Sequence, residues 1–338
     1  MNKSFIVDST SNNMRLDRWL RDKLGQIPQS LIERNLRSGN IKVNKKKTKS
    51  SYKTKINDKV EIFNFKFEKR IEQKNIKFLP SKEIVKANED LIIDNNDDFI
   101  VLNKSSGISV QGGTKSKKNL IDIFSKSEIF HGSRPYSVHR LDKDTSGVII
   151  VARTPKSAGM ISHLIKEREV SKIYWALVHK CPLIAKGILL NPTKEESSSE
   201  INFPDVLRGN QEYKTFKLQV LGIEEKEAIS AYKVLGQLKE EVSWLELMAI
   251  TGRKHQLRKH LSSIGCPIIG DKRYGDKTKE FTLGNRAKDF LDKNDKLQLH
   301  ARSIEFQHPF TGENIKVTAD PPAHMGKKLQ FFDPGNFE

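Results

Sequence analysis

From Asp90 onward the apolar residues of this chain fall in short runs closed off by polar turn signals, a texture that reads as short strands. Leu91-Ile92-Ile93 and Phe99-Ile100-Val101-Leu102 are separated by Asp94-Asn95-Asn96-Asp97-Asp98, a strand–turn–strand pattern. Val148 to Val151 forms another run. Lys172 to Val178 alternates, with Tyr174, Ala176 and Val178 on one face. Leu245 to Ile250 leads through Thr251-Gly252 into helical spacing at Leu257, Leu261 and Ile264, which Gly265-Cys266-Pro267 ends. No run approaches the roughly 18 apolar residues of a membrane span, and the start, Met1-Asn2-Lys3-Ser4, has no apolar signal core. A length of 338 residues suits one large domain, or a large domain with a small partner. Cys181 and Cys266 cannot make a disulfide scaffold or a four-thiolate zinc site. A soluble, cytoplasmic protein with reduced thiols is expected.

The charge is unevenly placed. Residues 1–87 hold 22 Lys and Arg against 9 Asp and Glu, whereas the other 251 residues hold 38 against 33. A basic excess confined to the first quarter marks a unit that binds a polyanion, nucleic acid above all. The plainer alternative is a solvated Lys-rich surface.

The pattern of residues 14–62 sharpens this. Leu16, Trp19, Leu20 and Leu24 repeat at helical spacing up to Gly25. After Pro28, Ser30 and Glu33 predict a capping box for a second helix carrying Leu31, Ile32 and Leu36, stopped by Ser38-Gly39. Ile41-Lys42-Val43 reads as a strand, Asn44-Lys45 as a turn and Val60-Glu61-Ile62 as another strand. Arg15, Arg18, Arg34 and Arg37 lie on the polar helix faces, with Lys45, Lys46 and Lys47 on the turn. The segment resembles the small RNA-binding domain first named for ribosomal small-subunit protein four, with its Arg-Leu-Asp-x-Trp-Leu opening and Ser-Gly-x-Ile-x-Val-Asn hairpin. Such a basic helix pair contacts phosphates and RNA shape rather than base edges. Residues 1–13 are expected to be a tail and 63–88 a linker, and 192–200 read as a polar loop.

Three later stretches carry chemistry. Val138-His139-Arg140-Leu141-Asp142-Lys143-Asp144-Thr145-Ser146-Gly147 precedes the Val148 run directly, so its ionisable groups stand at a rigid edge. An aspartic-protease reading fails for lack of a second matching Asp. Asp142 and Asp144, two apart in an extended segment, would sit about 7 Å from each other and cannot share a proton. A turn in which both cap backbone N–H groups is the bland possibility. Tyr174, taken alone, reads as a core tyrosine. Arg253, at the N-terminal turn of the third stretch, opposes the helix dipole, which points to a specific anionic partner unless it is simply solvated. Lys254, Arg258 and Lys259 read as general RNA-facing charges. His255 and His260 lack the His-Glu-x-x-His spacing, so no metal site is expected.

Taken in order, His139-Arg140-Leu141-Asp142-x-Asp144-Thr145-Ser146-Gly147, the Lys172-x-Tyr174-x-Ala176-Leu177-Val178 strand and Gly252-Arg253-x-His255-Gln256-x-Arg258-x-His260-Leu261 resemble the RluA/RluC/RluD-type pseudouridine synthases. Asn103-Lys104-x-x-Gly107, Gln111-Gly112-Gly113 and Gly270-Asp271-x-x-Tyr274-Gly275 fit the same family, and the likeness covers residues 14 to 322. Lys254 and Cys266 depart from its usual Thr and His. The resemblance is closest to the RluC type, which implies large-subunit ribosomal RNA as substrate. It implies an α+β fold: a long mixed, mainly antiparallel sheet over 89–322, a small N-terminal α/β RNA-binding domain over 14–62, and a C-terminal tail over 323–338. It also implies isomerisation of uridine without metal, redox or nucleotide cofactor, in keeping with the missing P-loop and dinucleotide motifs.

By the same resemblance Asp142 is the essential carboxylate, acting as a nucleophile or as the base for the ribose 2′ proton. Arg253 is its partner, Tyr174 stacks on the uracil, Arg140 fills or braces the space left by the extruded base, Leu247 or a neighbouring aliphatic floors the pocket, and Arg258 contacts the RNA. A monomer working on RNA, away from membranes, is expected. The competing possibility is a non-catalytic ribosome-assembly factor on the same scaffold.

Overall fold

The structure, a computed structural model, describes residues 3–25, 27–63, 78–112, 118–190, 228–275 and 296–332. It divides into two compact units, Met1–Ile76 and Lys77–Glu338. The expected loop at 192–200, Gly113 and most of the expected linker fall outside the described residues.

In the first unit the helical spacing of Leu16, Trp19 and Leu20 buries these three side chains on helix α1 (Leu16–Leu24), which ends at Gly25 with φ 91°. Helix α2 (Gln29–Ser38) buries Ile32 and Leu36 against them. The Ser30–Glu33 capping box does not form. Pro28 is the N-cap, so Ser30 already lies inside the first turn, and Glu33 instead accepts from Ser50 Oγ and Gln29 Nε2 at 2.5 and 2.9 Å. Gly39, at φ 81°, closes α2 in the left-handed conformation. Strand β2 (Ile41–Val43) follows, then Asn44 and Lys45 at φ 48° and 65°, both positive as a tight hairpin turn requires. Residues 1–13, expected as a tail, contain strand β1 (Lys3–Ile6), which pairs with β3 (Lys59–Ile62) to give the antiparallel order β1-β3-β2. Phe5 meets Trp19 edge-on at 6.0 Å.

The second unit is a sheet carrying helices on its faces. Its strands are β4 (Ile92–Asn95), β5 (Phe99–Lys104), β6 (Tyr136–Ser137), β7 (Ser146–Ala152), β8 (Ser171–His179), β9 (Lys186–Leu189), β10 (Ser230–Leu238), β11 (Val242–Ala249), β12 (Leu299–Gln307) and β13 (Asn314–Thr318). The order is β4-β5-β7-β12-β8-β11-β10-β9, with β13 beside β12 and β6 beside β7. Among the described strands only β7 and β12 pair in parallel, so the sheet is mixed and mainly antiparallel, as expected. Strand β7 is buried throughout, which is why its sequence reads as an unbroken apolar run rather than an alternation. Val148 and Ile150 pack with Ile161 of helix α5 (Pro155–Lys166), whereas Ile149 and Val151 pack with Phe124 of helix α4 (Leu120–Phe124). Helix α6 (Gln256–Ser263) lays Leu257 and Leu261 on Ala176, Leu245 and Leu247.

Two segments that read as irregular in the sequence are helical. Lys82–Glu89, at the end of the expected linker, is helix α3, N-capped by Ser81. Ala323–Leu329, in the expected tail, is helix α7, whose Met325 and Leu329 pack on Trp175 and Trp244. Each is about two turns long and has too few apolar positions to show a period. Among the described residues no helix is long and apolar enough to cross a membrane.

Candidate active site

The segment between β6 and β7 is pinned from beneath. Lys104, at the end of β5 and 1% exposed, donates its three ammonium protons to the carbonyls of Ser105, Ile108 and Lys143 at 2.9, 3.0 and 3.1 Å. Gly107, at φ 92°, gives its N–H to the same Lys143 carbonyl at 2.8 Å, and Ser106 Oγ donates to Asp144 O at 2.7 Å. Burial pushes the Lys104 ammonium down to about 7, against the pull of Asp144 and Asp142. Within the segment, His139 Nε2 accepts the Ile150 N–H at 3.0 Å. Burial, with Lys172 nearby, pushes His139 down to about 3, so its imidazole is neutral and able to accept.

Asp142 therefore emerges from a fixed loop into a cleft of about 320 Å³, a volume in the range of small-ligand sites. Tyr174 of β8 and Leu299 of β12 supply walls, with Ala249 and Leu257 from the ends of β11 and α6. Burial, reinforced by the Asp142 carboxylate, pushes the Tyr174 phenol up to about 12. Five cations, Arg140, Lys172, Arg253, Lys254 and Arg258, line the cleft, and Asp142 is its one carboxylate among the described residues. Such a cleft favours a polyanion.

The sequence-predicted residues are distributed as follows. Arg140 is exposed at the rim, beside Asp142. Arg253 lines the cleft from the turn before α6, where its N–H donates to Gln256 Oε1 at 3.0 Å. The arginine at the carboxylate is Arg258, whose Nη1 stands 3.4 Å from Asp142 Oδ2. Arg258, expected as an RNA-facing charge, lines the cleft but is only 8% exposed and holds Asp271 through two 2.7 Å bonds. His255, at φ 54°, caps α6 and turns its Nε2 to 3.6 Å from Asp142 Oδ1. Burial pushes this imidazole down, while Asp142 pulls it up. Leu247 is fully buried opposite Tyr174 in the core and does not line the cleft; its neighbour Ala249 does, with Val138, Leu141, Ile165, Leu257 and Leu299. Arg15, Arg18, Arg34, Arg37, Lys45 and Lys46 are all exposed on the first unit, and Arg15 is held by Asp17 at 2.7 Å.

His255, Lys172 and Asp271 all lie in the motifs that carry the resemblance, but the sequence assigns none of them a place at Asp142. The positive φ that aims His255 at Asp142 is not written in its residue type. Lys172 is a half-buried cation whose ammonium is pushed down by burial and by Arg168. Among the described residues no set of three or more His, Cys, Asp or Glu could hold a metal ion.

Comparison with known proteins identifies the family. A profile of the family described as RNA pseudouridylate synthase matches residues 98–263, which include Asp142, Tyr174 and Arg258. A ribosomal large subunit pseudouridine synthase C of Vibrio parahaemolyticus is 32% identical over 335 residues, covering 96% of this chain and 94% of that protein. One of Buchnera aphidicola is 33% identical, covering 91% and 90%. The fold is that of human RNA pseudouridylate synthase domain containing 4, with a TM-score of 0.58 at 24% identity over 73% of this chain and 95% of the other. With its motifs, its sheet and a full-length relative above 30% identity in agreement, the chain belongs to the RNA pseudouridylate synthase family.

Proposed function

We propose that this enzyme isomerises selected uridines of large-subunit ribosomal RNA to pseudouridine, with Asp142 as the reacting carboxylate. The observation that carries the reading is that, among the described residues, a single acid stands in a cleft lined by five cations, beside the ring of Tyr174. The reaction breaks the N-glycosidic bond, turns the uracil and joins C5 to the ribose carbon, releasing the C5 proton while the freed N1 takes one up. It involves no net redox change and is taken to need no cofactor. Asp142 either attacks the ribose or base, or removes the ribose 2′ proton; both routes need a charged carboxylate with a lone pair to spare.

Tyr174, kept neutral by burial, offers a ring face on which an extruded uracil can stack. Arg140 at the rim is suited to fill the space that the base leaves, and Arg253 and Lys254 to hold flanking phosphates. The exposed Arg18, Arg34, Arg37, Lys45 and Lys46 of residues 14–62 support an RNA-binding domain of the small-subunit-protein-four type. The relatives' names favour the large subunit. A cytoplasmic monomer is the simplest agent of this chemistry.

The substrate is tested by incubating the protein with unmodified large-subunit RNA and, separately, small-subunit RNA, and mapping pseudouridine by adduct-dependent primer-extension stops. Stops at a few positions in large-subunit RNA alone are expected. Stops confined to the small-subunit RNA would overturn the assignment.

A further inference from the structure

Both groups that approach Asp142 are anchored from one short turn. Asp271, fully buried at its side chain, accepts Arg258 Nε on Oδ2 and Nη2 on Oδ1, each at 2.7 Å. Its Oδ1 also accepts the N–H groups of Arg273 and Tyr274, at 2.9 and 3.0 Å. Burial alone would push this carboxyl up, but Arg258 and the two N–H groups hold it below the usual range, so it competes for the guanidinium as an anion. Nη1, the amino group that Asp271 does not hold, stands 3.4 Å from Asp142 Oδ2. Tyr274, three residues on, lies 5.3 Å under the same guanidinium and places its Oη 3.0 Å from His255 Nδ1. With that ring nitrogen taken by the phenol, Nε2 is the one that faces Asp142, at 3.6 Å. Neither neighbour closes to the roughly 2.7–2.9 Å of a charge-assisted hydrogen bond.

We propose that Asp271 and Tyr274 are positioning residues that hold Arg258 and His255 just short of Asp142, so that the carboxylate stays charged without being committed to a tight ion pair. A carboxylate gripped by both arms of a guanidinium would have to break those bonds before a lone pair could reach ribose, base or proton. The Asp271 anchor fixes the plane of the guanidinium, so that its free end reaches Asp142 only through Nη1 at 3.4 Å. The proposal rests on the reading of Asp142 as the reacting group.

The test is single-turnover tritium release from large-subunit RNA labelled at uridine C5, measured for wild type, Asp271→Asn, Arg258→Gln and the double variant, with RNA affinity and thermal melting for each. In Asp271→Asn the carboxamide oxygen can still accept the two backbone N–H groups, so the turn is kept while Arg258 is freed to close on Asp142. The expected result is a rate lower by about 10²-fold for Asp271→Asn, with RNA affinity within about threefold because phosphate contacts dominate it. Because Asp271 acts through Arg258, the double variant should be no slower than Arg258→Gln alone. Losses that multiply in the double variant, or a wild-type rate in Asp271→Asn, would overturn the proposal. Should Asp271→Asn fail to fold, Tyr274→Phe tests the second arm: a rate loss of about tenfold or more at unchanged RNA affinity supports it, and an unchanged rate overturns it. No release by wild type would instead sink the functional reading beneath the proposal.

Discussion

Gly147 stands so close to the main chain of Ala301 that a β-carbon on it would overlap the Ala301 carbonyl oxygen, and its φ is +109°. The two residues face each other in the parallel pairing of β7 and β12, five positions after Asp142. The glycine of the Asp-Thr-Ser-Gly motif is therefore needed where the loop carrying Asp142 enters the sheet.

Gly147→Ala should cost the folded state more than about 2 kcal/mol, since left-handed strain adds to the overlap. Urea unfolding followed by circular dichroism checks this. A change within about 0.5 kcal/mol would show that the strand pair can part at no cost.

Stability should fall as the pH drops below neutrality. Burial pushes His139, His260 and His300 down to about 3, 4 and 4. In the unfolded chain these groups bind protons below about pH 6.5, and in the folded chain they do not until the pH nears their lowered values. Their contribution is thus complete above about pH 6.5 and is lost as the pH falls from there towards 4, each costing at most about 1.4 kcal/mol per pH unit. Asp271, held below the usual carboxylate range, loses its contribution in the same direction at still lower pH. Melting temperatures at pH 7.5, 6 and 5 should decline with increasing steepness; a flat profile over that range would contradict the burial of these imidazoles.

RNA binding by the first unit should be electrostatic. Replacing exposed Arg18, Arg34 and Arg37 by Gln together should weaken affinity for large-subunit RNA and reduce the slope of log affinity against log salt by about 2, the loss of three phosphate contacts on single-stranded RNA. An unchanged slope would mean that this face does not touch the RNA.

Much of the fold is legible in the chain because its strands and the helices that cover them carry their own apolar pattern: β7 as a continuous run, β8 by alternation, α1 by the spacing of Leu16, Trp19 and Leu20. What escapes is structure made by distant partners. Strand β1 has Phe5 as its one inward aromatic and leaves Ile6 66% exposed, and α7 packs where Met325 and Leu329 meet a tryptophan pair assembled from β8 and β11. At the site, Asp142 and Tyr174 stand out through their motifs, but the choice between Arg253 and Arg258 depends on where α6 begins. The contact of Arg258 with Asp142 joins residues 116 apart, a distance that no local spacing encodes. Leu247 has the right residue type for a pocket floor, but its place opposite Tyr174 buries it completely.

The central claim is that Asp142 carries out the chemistry. It is tested most directly by tritium release from unmodified large-subunit RNA labelled at uridine C5, with wild type beside Asp142→Asn. The account predicts release by wild type, none by the variant, and RNA affinities within about tenfold of each other, since phosphate contacts dominate binding. Release by Asp142→Asn at a rate comparable with wild type would contradict it.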